Sequence, residues 1–210
     1  MQRLPGDRKL TGKGYLSPLQ FVVGLGNVGE EYTDTPHNLG RELVEYIQSQ
    51  EQLHWRTTTL FDYTPSTPAY ARLNTYMNLS GKPVAEIIYK FGCAPEQILT
   101  VCDDFTLPTG MIRIRKNSSA GSHNGLKSII QEIQSDQFPR LRLGIGETLG
   151  SPVPNAPLAK YVLAKFNRCQ LETVRGMFKK AAQAIQMIQQ KGLEAAMNKY
   201  NEKVPSTGAP

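Results

Sequence analysis

The sequence has few of the residues that mark membrane-spanning, disulfide-bonded or metal-binding proteins. No apolar run approaches the roughly 20 residues that a membrane-spanning helix needs. The three cysteines lie far apart and form no Cys-x-x-Cys pair, so we expect free thiols in a cytoplasm-like compartment. The three histidines show no metal-ligand spacing. These absences predict a cytoplasmic protein without membrane association and without a bound metal.

Acidic residues are missing from one long stretch. No Asp or Glu occurs from Phe105 to Gln131, although the stretch contains Arg113 and Arg115, and the whole chain has a net charge of +6. Because Arg113 and Arg115 are two residues apart on a predicted strand, they should face one side of it. For any single charge, a solvated basic face is the preferred interpretation. Taken together, the charges favour a polyanionic partner.

The 210 residues are 40% hydrophobic and 20% charged, as expected for one folded domain. Runs typical of strands alternate with helical periodicity, which predicts an α/β fold: a single domain with a mixed, mostly parallel twisted sheet and helices on both faces. We assign residues 19–200 to this domain, 1–18 to a flexible basic segment and 201–210 to a flexible tail. If residues 1–18 are a targeting remnant, the compartment is an organellar matrix or stroma. Predicted strands cover 21–23, 57–63, 69–73, 98–102, 111–116 and 140–145; predicted helices cover 38–50, 80–91, 124–134, 158–165, 169–190 and 193–199.

A glycine-rich turn, GLGNVG at 24–29, follows the first predicted strand and precedes His37. It formally matches a dinucleotide-binding fingerprint, but Glu30 and Glu31 follow it where a phosphate would need a helix N-terminus. A second interpretation is a tight turn with a structural histidine. The third is a catalytic site at the carboxyl end of the strand, where open α/β sheets bind ligands.

Further polar residues occupy strand ends or helix starts. Asn27 follows the first strand, Asn78 precedes a helix, Asp103 follows the strand at 98–102, and Asn124 opens another helix. A histidine beside a carboxylate is typical of a general base, so His37 could activate water. Asparagine amides could bind substrate carbonyls, and the Asn27 carbonyl could accept a hydrogen bond from a substrate N–H.

Five motifs carry a resemblance to a known family. The GLGNVG turn is followed by Tyr32 and then by His37-Asn38; the others are YMNLSGK at 76–82, VCDD at 101–104, GSHNGLK at 121–127 and RLRLGIG at 140–146. In this order and at these spacings, the chain resembles bacterial-type peptidyl-tRNA hydrolase. The resemblance covers about residues 20–200.

The resemblance implies hydrolysis of the ester that joins a peptide to the tRNA 3′ ribose, with peptidyl-tRNA as the partner and no cofactor or metal. It makes His37 the catalytic base and Asp103 its partner, with Asp104 as the less favoured carboxylate. It places Asn27 where the family distinguishes blocked from free aminoacyl groups. Other family positions that contact the substrate end or the tRNA phosphates correspond to Tyr32, Tyr76, Asn78, Asn124, Arg113, Arg115 and Arg142. We also expect a monomer.

The chain departs from the family pattern in its loops. Val28 and Pro36 stand where the family usually has Pro and Arg, and the loop at 117–120 has fewer glycines than usual. Because some relatives bind RNA without hydrolysis, a non-catalytic RNA-binding protein is the alternative interpretation.

Overall fold

The computed structural model describes residues 18–146 and 157–201, and within them seven strands form one sheet. The strands are β1 (Phe21–Gly24), β2 (Arg56–Thr57), β3 (Phe61–Tyr63), β4 (Ala69–Leu73), β5 (Ile98–Pro108), β6 (Ile112–Arg115) and β7 (Arg140–Gly146). Their order is β2-β3-β4-β1-β5-β7-β6. The central strands β4, β1, β5 and β7 are parallel, whereas β2, β3 and β6 pair antiparallel at the edges. This confirms the predicted fold class.

Helices cover both faces of the sheet. They are α1 (Leu39–Gln50), α2 (Gly81–Phe91), α3 (Asn124–Ile133), α4 (Leu158–Tyr161), α5 (Arg168–Lys191) and α6 (Leu193–Tyr200). Because side chains alternate along a strand, Val22 packs in the core under α1, α5 and α6, whereas Phe21 and Val23 pack in the core under α2 and α3. No helix among the described residues is long and apolar enough to span a bilayer.

Three predicted elements differ from the structure. The strand predicted at 57–63 is a hairpin, because Thr58 forms a turn in which its hydroxyl donates to the Phe61 carbonyl. The strand predicted to end at Cys102 continues to Pro108, because β7 still pairs with it beyond that point. The helix predicted at 158–165 is only the single turn α4.

Two of the predicted segments fall at the limits of the described residues. The proposed flexible segment 1–18 lies outside them except for its last residue, and the proposed tail lies outside them except for Asn201. The Asn201 side chain accepts a hydrogen bond from the Ile114 N–H at 2.7 Å and donates to the Ile114 carbonyl at 2.9 Å. It therefore satisfies both backbone groups of Ile114 in the edge strand β6.

The start of α1 lies unusually close to the sheet. A Cβ atom added to Gly24 would lie 2.2 Å from the Gly40 carbonyl oxygen, and one added to Gly40 would lie 2.3 Å from the Val101 carbonyl oxygen. Both distances are too short for a side chain. The two glycines thus let α1 begin directly against β1 and β5, at the carboxyl end of the parallel strands.

Candidate active site

His37 lies in a short 3-10 turn, Pro36–Asn38, immediately before α1. Its side chain is 13% exposed, and its Nδ1 lies 2.9 Å from Asp103 Oδ1. Its backbone N–H donates to the Val162 carbonyl at 2.9 Å. The ring therefore sits at the carboxyl edge of the sheet, held between β5 and the segment that follows α4.

The loop before His37 depends on contacts from two other segments. Asp34 has a φ of 60°, which is a left-handed conformation uncommon outside glycine. Its N–H donates to a Glu42 carboxylate oxygen at 2.7 Å, and its carbonyl accepts from the Phe166 N–H at 2.8 Å. Burial raises the pKa of Glu42 to about 7. Residues 162–166 thus give backbone groups to this loop, which explains why α4 does not continue as a helix.

Asp103 does not follow the end of a strand, as the sequence predicted, but lies inside β5. It pairs with Leu143 of β7, whereas β1 on the other side ends at Gly24, which pairs with Val101. Since β1 has already ended, the flank of β5 at Asp103 is open. The carboxylate can therefore reach His37 although the strand continues.

His123 is a third member of this cluster, and the sequence interpretation gave it no role. Its Nε2 lies 3.1 Å from Asp103 Oδ1, and its ring centroid is 4.8 Å from that of His37. Its Nδ1 accepts hydrogen bonds from the backbone N–H groups of Gly125 and Leu126, at 3.1 and 3.3 Å. The ring thus caps the N-terminus of α3 with Nδ1, which leaves Nε2 as the protonated nitrogen. The only signal in the sequence was a histidine next to Asn124 at a helix start.

The charge of Asp103 determines which nitrogens carry protons. Burial acts to raise the pKa of Asp103, but the charge and hydrogen bonds of His123 and His37 outweigh it and hold this pKa well below its usual range. An ionised carboxylate only accepts, so His37 Nδ1 and His123 Nε2 must both donate. His37 is then left with an unprotonated Nε2 when neutral.

The same protonation pattern bears on metal binding. One ligand atom from each of His37, Asp103 and His123 lies within 4.8 Å of the others, a spacing that could hold a metal ion. However, the lone pair of His123 Nδ1 is used by two backbone amides, and its Nε2 proton points to Asp103. A metal ion would have to break the cap of α3, so the geometry fits a hydrogen-bonded network better than a metal centre.

Asn27 is buried and held on both sides. Its backbone N–H donates to Asn38 Oδ1 at 2.7 Å, and its backbone carbonyl accepts from Asn38 Nδ2 at 3.1 Å. Its side-chain Oδ1 accepts from the Met77 N–H at 2.8 Å. The Met77 N–H takes one of the two acceptor positions of this oxygen, so its bond to a substrate N–H stays a prediction. The same bond orients the side-chain amide, whose hydrogens have no acceptor among the described residues. Asn38, which orients Asn27, was not recognised as a site residue from the sequence.

The other predicted substrate-binding side chains are accessible. Asn78 is exposed in the turn Met77–Leu79, directly after the residue bonded to Asn27, and Asn124 is exposed at the first position of α3, directly after His123. Tyr32 is half-buried and Tyr76 is 52% exposed; their ring centroids are 6.4 Å apart with an edge-on angle of 74°. The structure thus places these side chains around the carboxyl edge of the sheet.

The three predicted phosphate-binding arginines have different environments. Arg113 and Arg142 are directly paired across β6 and β7, so they project from the same face, together with Arg115. Arg113 is half-buried and Arg115 is exposed, and neither has an ion pair within the described residues. Arg142 instead donates through Nη1 to Asp104 at 3.0 Å. Asp104 is therefore bonded to Arg142, whereas Asp103 faces the histidines.

Comparison with known proteins gives a consistent picture. A family model described as "Peptidyl-tRNA hydrolase" matches residues 21–207. Peptidyl-tRNA hydrolases of Methylacidiphilum infernorum and Caldicellulosiruptor saccharolyticus are 39% and 34% identical, over 86% and 88% of this chain and 97% of each relative. The crystal structure of peptidyl-tRNA hydrolase from Acinetobacter baumannii superposes with a TM-score of 0.78 at 29% identity, covering 92% of this chain and 100% of that chain. The chain therefore belongs to the peptidyl-tRNA hydrolase family.

Proposed function

We propose that this protein hydrolyses the ester bond between a peptide, or an N-blocked amino acid, and the 3′ ribose of tRNA. The observation that carries the proposal is the hydrogen bond between His37 Nδ1 and Asp103 Oδ1, which leaves His37 Nε2 as a base at an accessible edge of the sheet. Family membership supplies the substrate class. Hydrolysis would release tRNA from stalled or aborted translation.

The reaction needs one water molecule and one proton carrier. His37 Nε2 takes a proton from water as the water oxygen attacks the ester carbonyl, and Asp103 stabilises the imidazolium that forms. The side-chain amides of Asn78 and Asn124 donate to the negative oxygen of the tetrahedral intermediate. When the intermediate collapses, the imidazolium returns the proton to the departing ribose oxygen. The products are a free carboxylic acid and tRNA with a free 3′ end.

The test is release of N-acetylated amino acid from tRNA by the purified protein. Turnover of this substrate, with little release of an unblocked amino acid, is the expected result. Tight tRNA binding without release would instead favour a non-catalytic RNA-binding protein, and a nucleotide-dependent enzyme would show saturable binding of a dinucleotide.

Asn27 is proposed to contribute to the selection of N-blocked substrates. Its Oδ1 is used by the Met77 N–H, so its amide N–H groups face the substrate and would repel a charged amine. Asn27→Asp keeps an acceptor for Met77 but replaces the donor by a negative oxygen. Because one unsatisfied buried contact costs about 1–3 kcal/mol, we expect the preference for blocked substrate to narrow about tenfold or more.

The measurement is kcat/KM on one tRNA carrying an amino acid and its N-acetyl form. Asn198→Asp is a suitable control, because it makes the same change of side chain at an exposed position of α6. An unchanged ratio in Asn27→Asp would show that other residues read the blocked nitrogen.

Arg113 and Arg115 are proposed to bind tRNA phosphates, with Arg142 adding positive charge beside them. Replacing both Arg113 and Arg115 with alanine should raise KM and leave kcat nearly unchanged, because they are proposed to contact tRNA phosphates and not the reacting ester. The slope of log affinity against log salt should fall by roughly 0.7–0.9 for each phosphate that is no longer neutralised. Arg56→Ala, on the opposite edge strand β2, is the control and should keep the parent slope. If the double variant kept the salt dependence of the parent protein, tRNA phosphates would have to bind at another surface.

We further propose a cytoplasmic monomer that acts without a metal. Cys93, Cys102 and Cys169 are free thiols, which suits a reducing compartment. Unchanged turnover in the presence of a chelator and a monomeric sedimentation profile would support this part of the proposal.

A further inference from the structure

The loop between β6 and α3 is attached to the sheet by two arginines. Ser118 Oγ accepts a hydrogen bond from Arg140 Nη1 at 2.5 Å and another from Arg142 Nη2 at 2.8 Å. The carbonyl of Ser119 accepts from the same two guanidiniums at 3.1 and 3.4 Å. Two neighbouring residues of one loop thus receive four hydrogen bonds from two side chains of β7.

The two guanidiniums have few other acceptors. Arg140 is completely buried, and its side chain makes one other hydrogen bond within the described part of the chain, to the Asp136 carbonyl at 3.4 Å. Arg142 is bonded to Asp104, while Nε of both arginines is buried and has no hydrogen-bond partner among the described residues. Because the two arginines lie two residues apart on the same face of β7, their charges also repel each other. The Ser118 hydroxyl oxygen gives both guanidiniums a hydrogen-bond acceptor. Its partial negative charge also lies next to both positive charges and weakens their repulsion.

This loop leads directly into the candidate active site. After Ser119, the His123 N–H donates to the Ala120 carbonyl at 3.2 Å, and Gly121 adopts a left-handed φ of 56°. His123 then caps α3 and donates to Asp103, and Asn124 begins the helix. Only residues 120–122 separate Ser119 from the capping residue His123. A displacement of Ser118 should therefore also displace Asn124.

We propose that Ser118 is a positioning residue whose hydroxyl ties this loop to Arg140 and Arg142 and thereby sets the position of Asn124. The inference rests on the proposed function, because it assigns Asn124 to the substrate. Ser118 acts before tRNA binds, so it preorganises the site instead of contacting the substrate. Arg142 serves this loop as well as the basic face.

The test compares three variants at residues 118 and 119. Ser118→Ala removes the acceptor, and Ser118→Thr keeps a hydroxyl. Ser119→Ala is a matched control, because the arginines donate to the backbone carbonyl of Ser119 and not to its side chain. With N-acetyl-aminoacyl-tRNA we expect Ser118→Ala to lower kcat about tenfold, with KM and the salt slope close to the parent values. Ser118→Thr and Ser119→Ala should remain within about twofold of the parent kcat, well short of that tenfold loss.

Amide hydrogen exchange of residues 119–123 provides a readout that does not depend on turnover. Exchange should accelerate in Ser118→Ala and remain at the parent rate in Ser119→Ala. The proposal would be overturned if residues 119–123 exchanged at the parent rate in Ser118→Ala. It would also be overturned if they exchanged faster while kcat stayed at the parent value. If the parent protein releases no N-acetyl amino acid, the proposed function fails, and unchanged exchange in Ser118→Ala would then overturn the loop attachment separately.

Discussion

Replacing His37 with alanine is expected to lower kcat by about 10²–10⁴-fold, the usual contribution of a general base. His37 is the histidine of the cluster whose unprotonated nitrogen can face water, because His123 uses its unprotonated Nδ1 for the helix cap and donates from Nε2 to Asp103. KM for tRNA should change little, since the His37 ring contacts Asp103 and is not one of the proposed phosphate-binding groups.

The matched control is His54→Ala, which removes an exposed histidine that follows α1. Both variants should have the circular dichroism spectrum and melting temperature of the parent within a few degrees. Near-parent turnover by a folded His37→Ala protein would exclude His37 as the base, whereas a loss of similar size in His54→Ala would point to a general effect on stability.

Asp103→Asn is also expected to have a large effect, a fall in kcat of up to about 10⁴-fold by analogy with other His–carboxylate pairs in which an amide favours the wrong tautomer. The carboxylate accepts hydrogen bonds from two imidazoles at once, at 2.9 and 3.1 Å. An asparagine side chain can offer its oxygen to both rings, or turn its NH2 toward one of them. In the second arrangement His37 carries its proton on Nε2, where the base should be.

Nitrogen-15 NMR of the imidazole rings can follow this change directly. In the parent, His37 should show the Nδ1–H tautomer; in Asp103→Asn, the Nε2–H form should appear. Asp104→Asn changes the adjacent carboxylate, which binds Arg142, and should leave the His37 tautomer unaltered. A parent tautomer in Asp103→Asn together with a large loss of kcat would mean that Asp103 acts through its charge alone.

The sequence predicted the fold and the reaction better than the contacts within the site. Apolar runs such as Phe21–Val23 and the helical periodicity before Gly92 specify local structure, so β1 and α2 were predicted almost to the residue. The hairpin of β2 and β3 was missed because it depends on the hydroxyl of Thr58. The sequence also placed Asp103 after the end of a strand, whereas it lies inside β5. Asp103 can still reach His37 because β1 ends earlier, and the sequence of β5 alone does not show this.

Hydrogen-bond direction was the least predictable feature. The role of His123 follows from which of its nitrogens caps α3, and the orientation of the Asn27 side-chain amide follows from its bond to Met77. Likewise, the charge of Arg142 is evident in the sequence, but its engagement by Asp104 and Ser118 is not. Such assignments require the partners to be known, and the partners come from other strands and loops.

The close approach of Gly24 and Gly40 also matters for protein engineering. Exchanging glycine for alanine is a common route to higher stability, because it restricts the unfolded chain. At these two positions the added methyl group would collide with backbone oxygens at 2.2 and 2.3 Å and push α1 away from the sheet. The 3-10 turn carrying His37 would move with the helix. Libraries designed for heat resistance should therefore keep both glycines, whereas Gly176 on α5, whose added Cβ would meet no neighbouring atom within 4 Å, is a suitable site for the exchange.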